Sequence, residues 1–579
     1  MCGIYGRLIH AENASSHAIE LARIADAMSH RGPDAWDSYC DAAVSLVHTR
    51  LSLVDLESRA NQPMWDQSGR YCIVYNGELY DYREVRKDLE RRGIRFVSTT
   101  DTEVLLYAII EWGLEEALQR VDGMYAFAVY DRVERKLQLA RDRVGMKPLF
   151  YIDQSDAFAF ASSIQALQVS QPLSPNLLSV QSFLLGYGGP MSGNSFFCHV
   201  EQIPPGHVLT IQQHGSATVR RFASWRDLSC PATADALGCQ KPEQWVDQLG
   251  EFLEKSVASQ LVADADVGTL CSGGVDSSLV LAIAKRFKPD IQAFHANVVG
   301  SKSELAAAQQ VASDTNVPLH VVDVHDRDFI DLVPEVTEHY GLPFLFHPNA
   351  VPFIQVSKLV RQCGVKAVLC GEGADELFLG YEWLIPNIRR TLTRAPAQLF
   401  QLSKSAFDHF ERWIRGKPTR YTDADWDLNL VRSLPHRMEY ELGVDDDFDK
   451  DLLSRYPRTA DHRRIDQSGQ LSYILRSLMH RNDSLGMSAS IEARYPLLSR
   501  DILRLAINLP TRAKLRWSSQ MADWHHPFVR DKWVLRKLAE RYLPRPIAHR
   551  VKRPFLTTAL DRMHIPPGYF DDSLLAEWF

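Results

Sequence analysis

The chain has no Cys-x-x-Cys pair; its nine cysteines stand apart and their number is odd. That excludes a zinc ribbon or a disulfide framework and argues for reduced thiols in a cytoplasmic protein. No apolar run is long enough to span a bilayer. The first residues, Met-Cys-Gly-Ile-Tyr-Gly, have no basic stretch followed by an apolar one, so no secretory signal is expected. Charge of one sign is not in excess: 65 Lys and Arg stand against 72 Asp and Glu, a net −7. That leaves no electrostatic footprint for nucleic acid or an anionic membrane. Internal repeats and low-complexity tracts are also missing. What remains is a globular composition, 45% hydrophobic and 24% charged, on a chain of 579 residues. That length is too great for one ordinary core and predicts two or three domains.

The most informative stretch is Leu270-Cys-Ser-Gly-Gly-Val-Asp-Ser-Ser278. An apolar run from Val267 precedes it and a helical one from Leu279 follows, so it reads as strand, tight turn, helix. Ser272, Gly273, Gly274, Ser277 and Ser278 have no bulk to keep a ligand from the backbone. Their amides and hydroxyls at a helix N-terminus suit a phosphate or pyrophosphate. Asp276 would repel phosphate directly, so its expected task is to hold a divalent cation that bridges to it. The order of residues resembles the signature loop of the N-type ATP pyrophosphatases, which split ATP between the α- and β-phosphates.

Beyond this loop, strands (Ile291–Val298, Leu319–Val324, 367–369) alternate with helices (Glu304–Thr315, Pro352–Cys363). That predicts a parallel α/β sheet with ligands at the strand carboxyl ends. Cys370-Gly-Glu-Gly-Ala-Asp-Glu-Leu-Phe378 falls at such an end. Asp375 is the natural partner of Asp276 for Mg²⁺, and Glu372 is placed to position an acceptor or move a proton. A cation is needed where charge develops on departing pyrophosphate, and Lys532 is the candidate, with Arg550 and Lys552 behind it.

The first two hundred residues read differently. Short strands (43–47, Tyr71–Tyr75, Tyr125–Tyr130, Lys136–Arg141) and helices near 20–28 and 102–112 frame several polar motifs. These are His30-Arg-Gly-Pro-Asp34, Arg50-Leu-Ser52, Asn76-Gly-Glu78, Thr100-Asp-Thr-Glu103 and Arg141-Asp-Arg-Val-Gly-Met-Lys-Pro148, all placed at strand ends. Cys2 follows the initiator Met; once that is removed, its own α-amine can act as the base for its thiol. Taken alone, Asn76-Gly77 reads equally as a hairpin turn, and Asp34, Arg141 and Asp142 equally as loop braces.

Together these blocks resemble the class II glutamine amidotransferase domain, an N-terminal-nucleophile hydrolase with an αββα sandwich. The resemblance implies glutamine as substrate and Cys2 as nucleophile, with the Asn76 side chain and Gly77 amide as oxyanion hole. It further implies that Arg50 pairs with the glutamine α-carboxylate, and that Asp101 with Glu78 takes its α-ammonium. Ser163 departs from the family, which carries Glu after Ala-Ser, at a place expected to alter the contact between domains.

The second half, with Ser490-Ile-Glu-Ala-Arg-Tyr-Pro496 and Lys532, resembles the synthetase domain of glutamine-dependent asparagine synthetases. The expected division is therefore 1–210 glutaminase, 211–241 linker and 242–579 ATP-pyrophosphatase-type synthetase. By resemblance, ATP contacts Leu270, Ser272, Gly273, Gly274, Asp276, Ser277, Ser278, Val298, Gly371 and Lys532, with Mg²⁺ on Asp276 and Asp375. A homodimer and an ammonia tunnel are implied as well.

The implied reaction converts a small carboxylate to a carboxamide, first of all aspartate to asparagine. The stretch Leu342-Pro-Phe-Leu-Phe-His-Pro-Asn-Ala-Val-Pro352, with His347 and Asn349, is placed to face the acceptor. It is nearer to a second bacterial branch reading D-P-S-A-I-P. Ser499 and Leu497 stand where the family has Asp and Phe, so a non-aspartate acceptor stays open. Two rivals share the fold: a β-lactam synthetase, which usually lacks the N-terminal Cys, and a non-catalytic regulatory protein, which should have lost the nucleophile or carboxylates.

Overall fold

The computed structural model describes residues 2–10, 18–177, 179, 195–300, 303–341, 349–381, 475–518 and 529–551. His347, Lys552 and the stretch 383–468 lie outside the described residues.

The first unit holds two antiparallel sheets. One contains β1 (Gly3–Ile9), β2 (Ala35–Cys40), β3 (Val44–Arg50), β8 (Phe150–Asp153), β9 (Ala157–Ala161) and β10 (Glu201–Gln202), in the order β10-β8-β9-β1-β3-β2. The other contains β4 (Met64–Trp65), β5 (Tyr71–Leu79), β6 (Gly123–Asp131), β7 (Lys136–Arg141), β11 (His207–Gln212) and β12 (Thr218–Arg221), in the order β12-β11-β7-β6-β5-β4.

The strand period of two sorts the side chains into layers. Ile4, Leu8, Val44, Leu46, Cys72, Val74, Ala126 and Ala128 fill the space between the sheets. Tyr5 and Val47 face outward onto α1 (Ala18–Ala27), and Ile73, Tyr75 and Phe127 face the opposite way onto α2 (Tyr82–Arg91) and α3 (Asp101–Trp112). Three apolar layers between four layers of structure make the αββα sandwich.

Two expectations need correcting in detail. Asn76-Gly77 does not sit at a strand end: it lies inside β5, with Asn76 opposite Ala126 and Gly77 opposite Tyr125. A Cβ on Gly77 would come 2.3 Å from the Met124 carbonyl oxygen, so the glycine serves a close strand approach rather than a turn. The stretch 211–241, expected as a linker, contains regular structure. It carries the end of β11, then β12 paired to it, and α4 (Pro231–Cys239).

The second unit is a five-stranded, wholly parallel sheet. It comprises β13 (Val267–Leu270), β14 (Ala293–Val298), β15 (Leu319–Val324), β16 (Ala367–Leu369) and β17 (Glu492–Arg494), ordered β15-β14-β13-β16-β17. Helices α5 (Pro242–Gln260), α6 (Val275–Phe287), α7 (Leu305–Thr315), α8 (Val333–Tyr340), α9 (Ala350–Gln362) and α10 (Leu475–Ser488) pack about it.

From β13 the chain builds outward to β14 and β15, then returns to the other side as β16 and β17. The reversal falls between β13 and β16, which is where such sheets open a ligand crevice at the strand carboxyl ends. The two loops with the richest ligand chemistry leave β13 and β16. One core runs across both units, because Leu51, Leu53, Met124, Val144 and Met146 join the apolar cluster around α5 and α6. No helix among the described residues is long and apolar enough to cross a membrane.

Candidate active sites

Cys2 immediately precedes β1 and lines a cleft shared with Arg50, Tyr75, Gly77, Glu78 and Asp101. The Cys2 backbone N donates to Asn76 Oδ1 at 3.1 Å, and Arg31 Nε donates to the Cys2 carbonyl at 3.3 Å. Asn76 is fully buried, and its Nδ2 has no hydrogen-bond partner among the described residues. An amide donor left bare in a buried position costs free energy unless something fills it, so its place beside the Cys2 chain suits a developing oxyanion. Burial pushes the Cys2 thiol up; the chain's amino terminus, the Leu51 backbone N–H and Arg50 pull it back.

Asp101 is the first residue of α3, whose Thr100 side chain accepts from Thr102 N as an N-cap. Its carboxylate accepts from Tyr75 Oη at 2.9 Å, Leu79 N at 2.9 Å and Thr100 Oγ1 at 3.2 Å. Burial still raises its pKa. Arg50 lines the cleft but is heavily engaged: Nη1 donates to Glu57 O at 2.9 Å and Asn61 Oδ1 at 2.8 Å, and Nη2 to the carbonyls of Val54 and Asp55. A substrate carboxylate pairing bidentately through the two Nη groups would have to exchange for some of these acceptors.

Glu78 is also shared. Its Oε2 lies 3.2 Å from Arg494 Nη2, on β17 of the other unit, while Arg494 Nε holds Glu492 at 2.6 Å. All three are buried. Burial drives the Glu78 pKa well up, whereas the nearer Glu492, although burial pushes it the same way, is drawn down to about 2 by the amino terminus, Arg494 and Lys147.

In the second site, Ser272 N donates to Ser277 Oγ at 3.1 Å and Gly274 N to Ser272 Oγ at 3.3 Å, closing the turn on itself. Gly273 has φ +75, and a Cβ there would meet Ala308 N at 2.6 Å. Arg550 Nη1 donates to the Gly273 carbonyl at 2.9 Å, so it braces the loop from behind. Leu270 and Val298 end β13 and β14 and pack side by side against one apolar cluster. Gly371 fits tightly: a Cβ would come 2.8 Å from Ser277 N, which seats the second loop on the first.

Lys532 ties the two loops together. Its Nζ lies 2.5 Å from Asp276 Oδ2 and 2.6 Å from Asp375 Oδ1, with the side chain only 1% exposed. Burial would lower the ammonium's pKa; the two carboxylates reverse this and raise it. Gly380 makes room for it, since a Cβ there would fall 1.9 Å from Lys532 Cε. Glu372 Oε1 accepts from Asn482 Nδ2 at 3.0 Å and Arg481 Nη2 at 3.2 Å.

The first-site residues expected from the sequence therefore gather in one cleft, and those of the second gather at the β13–β16 crevice. Missed were Arg481, Asn482 and Asp483 on α10, Arg494, and Gly380. The run of five polar residues His480–Ser484, flanked by Leu478-Met479 and Leu485, was the available signal for the first three. Ser163 Oγ is buried without a hydrogen-bond partner among the described residues, and nearby Gln165 Nε2 donates to the Glu338 carbonyl of α8 at 2.6 Å.

A cysteine cleft with a bare, buried amide donor on an αββα sandwich, joined to a parallel sheet with a serine-glycine loop, defines a two-headed amidotransferase fold. The profile of the glutamine amidotransferase domain matches residues 1–223, and that of asparagine synthase matches residues 248–575. The chain belongs to the asparagine synthase family. It is 28% identical to asparagine synthetase [glutamine-hydrolyzing] 3 of Bacillus subtilis, over 96% of this chain and 87% of that protein. It is 28% identical to a putative asparagine synthetase [glutamine-hydrolyzing] of Mycobacterium tuberculosis, with the same coverage. It is 25% identical to amidase chry2 of Gibberella zeae, over 96% of this chain and 89% of that one.

Proposed function

We propose that the protein uses glutamine and ATP to convert an acceptor carboxylate to a carboxamide, with aspartate to asparagine as the leading reaction. The observation that carries this reading is the coexistence, in one chain, of the Cys2 cleft and the Asp276–Lys532–Asp375 crevice. With Met1 removed, the Cys2 amine takes the thiol proton and the thiolate attacks the glutamine amide carbon. The tetrahedral oxyanion forms against Asn76 Nδ2 and the Gly77 amide, each worth roughly 3 kcal/mol in such sites. The Cys2 ammonium returns that proton to the amide nitrogen, the C–N bond breaks to release ammonia, and water then hydrolyses the thioester to glutamate and the free thiol.

In the crevice the acceptor carboxylate attacks the α-phosphorus, pyrophosphate departs toward the serine-glycine loop and Lys532, and ammonia then displaces AMP. Ammonia crossing from one site to the other has to be kept from bulk water, where it would be protonated.

Two aspartates that converge on one cation, both with hard oxygen donors, fit Mg²⁺, which keeps its remaining positions for water and phosphate. Asp276 and Asp375 would hold it, and it would neutralise charge on the leaving pyrophosphate. Lys532 Nζ lies between them, and this convergence on one positive charge supports the reading. Homodimerisation and a cytoplasmic site are part of the same reading.

A second reading keeps the chemistry and changes the acceptor; the fungal amidase relative and the Leu497 and Ser499 departures favour it. Mass spectrometry of products from ¹⁵N-amide glutamine, MgATP and aspartate tests both. Labelled asparagine with equimolar AMP and pyrophosphate is expected. Glutamate without AMP would move the acceptor elsewhere.

A further inference from the structure

Helix α10 buries three consecutive polar residues, Arg481, Asn482 and Asp483, none more than 3% exposed. Asp483 is committed to the first unit: its Oδ2 accepts from Arg31 Nη2 at 2.8 Å. Asn482 gives its Nδ2 to Glu372, while its Oδ1 accepts from Arg481 Nε at 2.8 Å and Nη2 at 2.6 Å. Arg481 Nη2 meets Glu372 as well. Nη1 of Arg481 remains buried with no hydrogen-bond partner among the described residues.

A guanidinium stays protonated, so this donor cannot relieve its burial by losing a proton. Burying it unpaired is costly, and the group that would repair it is a planar anion, a carboxylate, which matches the guanidinium fork. The guanidinium carbon stands 5.2 Å from the centre of the Phe353 ring, on α9, so the surroundings are poor in water and a charge-assisted bond there is strong.

The location fits an acceptor. Arg481 is bonded to Glu372, and Glu372 follows Gly371, which packs directly on Ser277 of the pyrophosphate-type loop. A carboxylate that attacks the α-phosphate has to lie near this junction.

We propose that Arg481 is the specificity-determining residue for the acceptor, its Nη1 holding a carboxylate that does not react. The acceptor is then a small acid with two carboxylates, one amidated and one held. This rests on the amidotransferase reading and narrows its acceptor to the aspartate class against simple monoacids.

The test compares AMP release with L-aspartate and with β-alanine, which keeps the reacting carboxylate and the amine but has no second carboxylate. Ammonium chloride supplies nitrogen, and glutamine hydrolysis by the same preparation reports an intact fold. The wild-type protein should prefer aspartate in kcat/KM on the order of 100-fold, the effect expected of one charged hydrogen bond in a dry site. Arg481→Gln should erase the preference through the KM for aspartate, with the KM for ATP unchanged, and Arg481→Lys should recover part of it.

A wild-type protein that uses β-alanine as well as aspartate would overturn the proposal and leave the amidotransferase reading standing. So would Arg481→Gln lowering turnover of both acceptors equally with the preference intact, since Arg481 would then only brace Glu372. Glutamine hydrolysis without AMP from either acid would also overturn it. Absence of both glutamine hydrolysis and AMP formation would instead remove the underlying reading.

Discussion

The two clefts handle charge in opposite ways. In the Cys2 cleft, Asp101 and Arg50 are fixed by backbone groups and neutral side chains, and the reactive feature is a neutral donor, Asn76 Nδ2, left bare. In the β13–β16 crevice, charge is met by charge: Lys532 between Asp276 and Asp375, and Arg481 against Glu372. On the proposed reading the Asn76 donor is in place before substrate arrives, as an oxyanion hole requires. The second arrangement is a set of ion pairs, which on the proposed reading would exchange partners as phosphate, metal and acceptor bind. Arg50 in the first site would exchange acceptors for a substrate carboxylate, whereas in the second the ion pairs themselves would rearrange. Hydrolysis of glutamine should therefore tolerate damage to the crevice far better than adenylation does.

The sharpest separation comes from Cys2→Ala. Loss of the nucleophile should abolish glutamine-dependent synthesis, by on the order of 10⁴-fold or more. Synthesis from ammonium chloride should persist at the wild-type rate; its loss would mean the sites are not independent. Lys532→Met comes next. It leaves Asp276 and Asp375 facing each other without their buried cation and removes the charge expected at the leaving group. Pyrophosphate release should fall about 10³-fold, with glutamine hydrolysis within a few-fold of normal. Equal loss of both activities would show global unfolding instead. Asn76→Ala removes one of two oxyanion donors and should lower kcat for glutamine roughly 10²- to 10³-fold with little change in KM. A rise in KM at constant kcat would assign Asn76 to ground-state binding.

How much of this was legible depended on whether the signal was local. The strand, turn and helix of 267–287 came directly from an apolar run, small residues and a periodic run, because all three are neighbours in the chain. The strands 136–141 and 319–324 were read as short runs between turns and helices for the same reason. Asn76-Gly77 misled, since the pair carries a turn signal while Gly77 is needed for the approach of β6 at Met124. Arg31–Asp483 and Glu78–Arg494 were out of reach, because their partners are 452 and 416 residues apart and nothing in either segment names the other. Lys532 could be chosen only because pyrophosphate chemistry needs a cation, and its left-handed φ of +48 and its place between two aspartates came from the structure alone.

The smallest effect tests where the two regions meet. Arg494 sits between Glu492 at 2.6 Å and Glu78 at 3.2 Å, and the nearer carboxylate is the one held ionised. The folded pKa of Glu492, about 2, lies below its ordinary value of 4.5. A depressed acid stabilises the fold above its unfolded pKa and loses that contribution as pH falls toward the folded value. The contribution should therefore be complete above pH 4.5 and fade between 4.5 and about 2. Glu492→Gln should lower stability at neutral pH, because Arg494 keeps only Glu78, whose own burial opposes ionisation. The same variant should flatten the acid limb of a urea-midpoint profile measured from pH 6 down to 3. A variant with the wild-type acid limb would place the acid sensitivity in another carboxylate and leave the Glu492–Arg494 pair without a role in it.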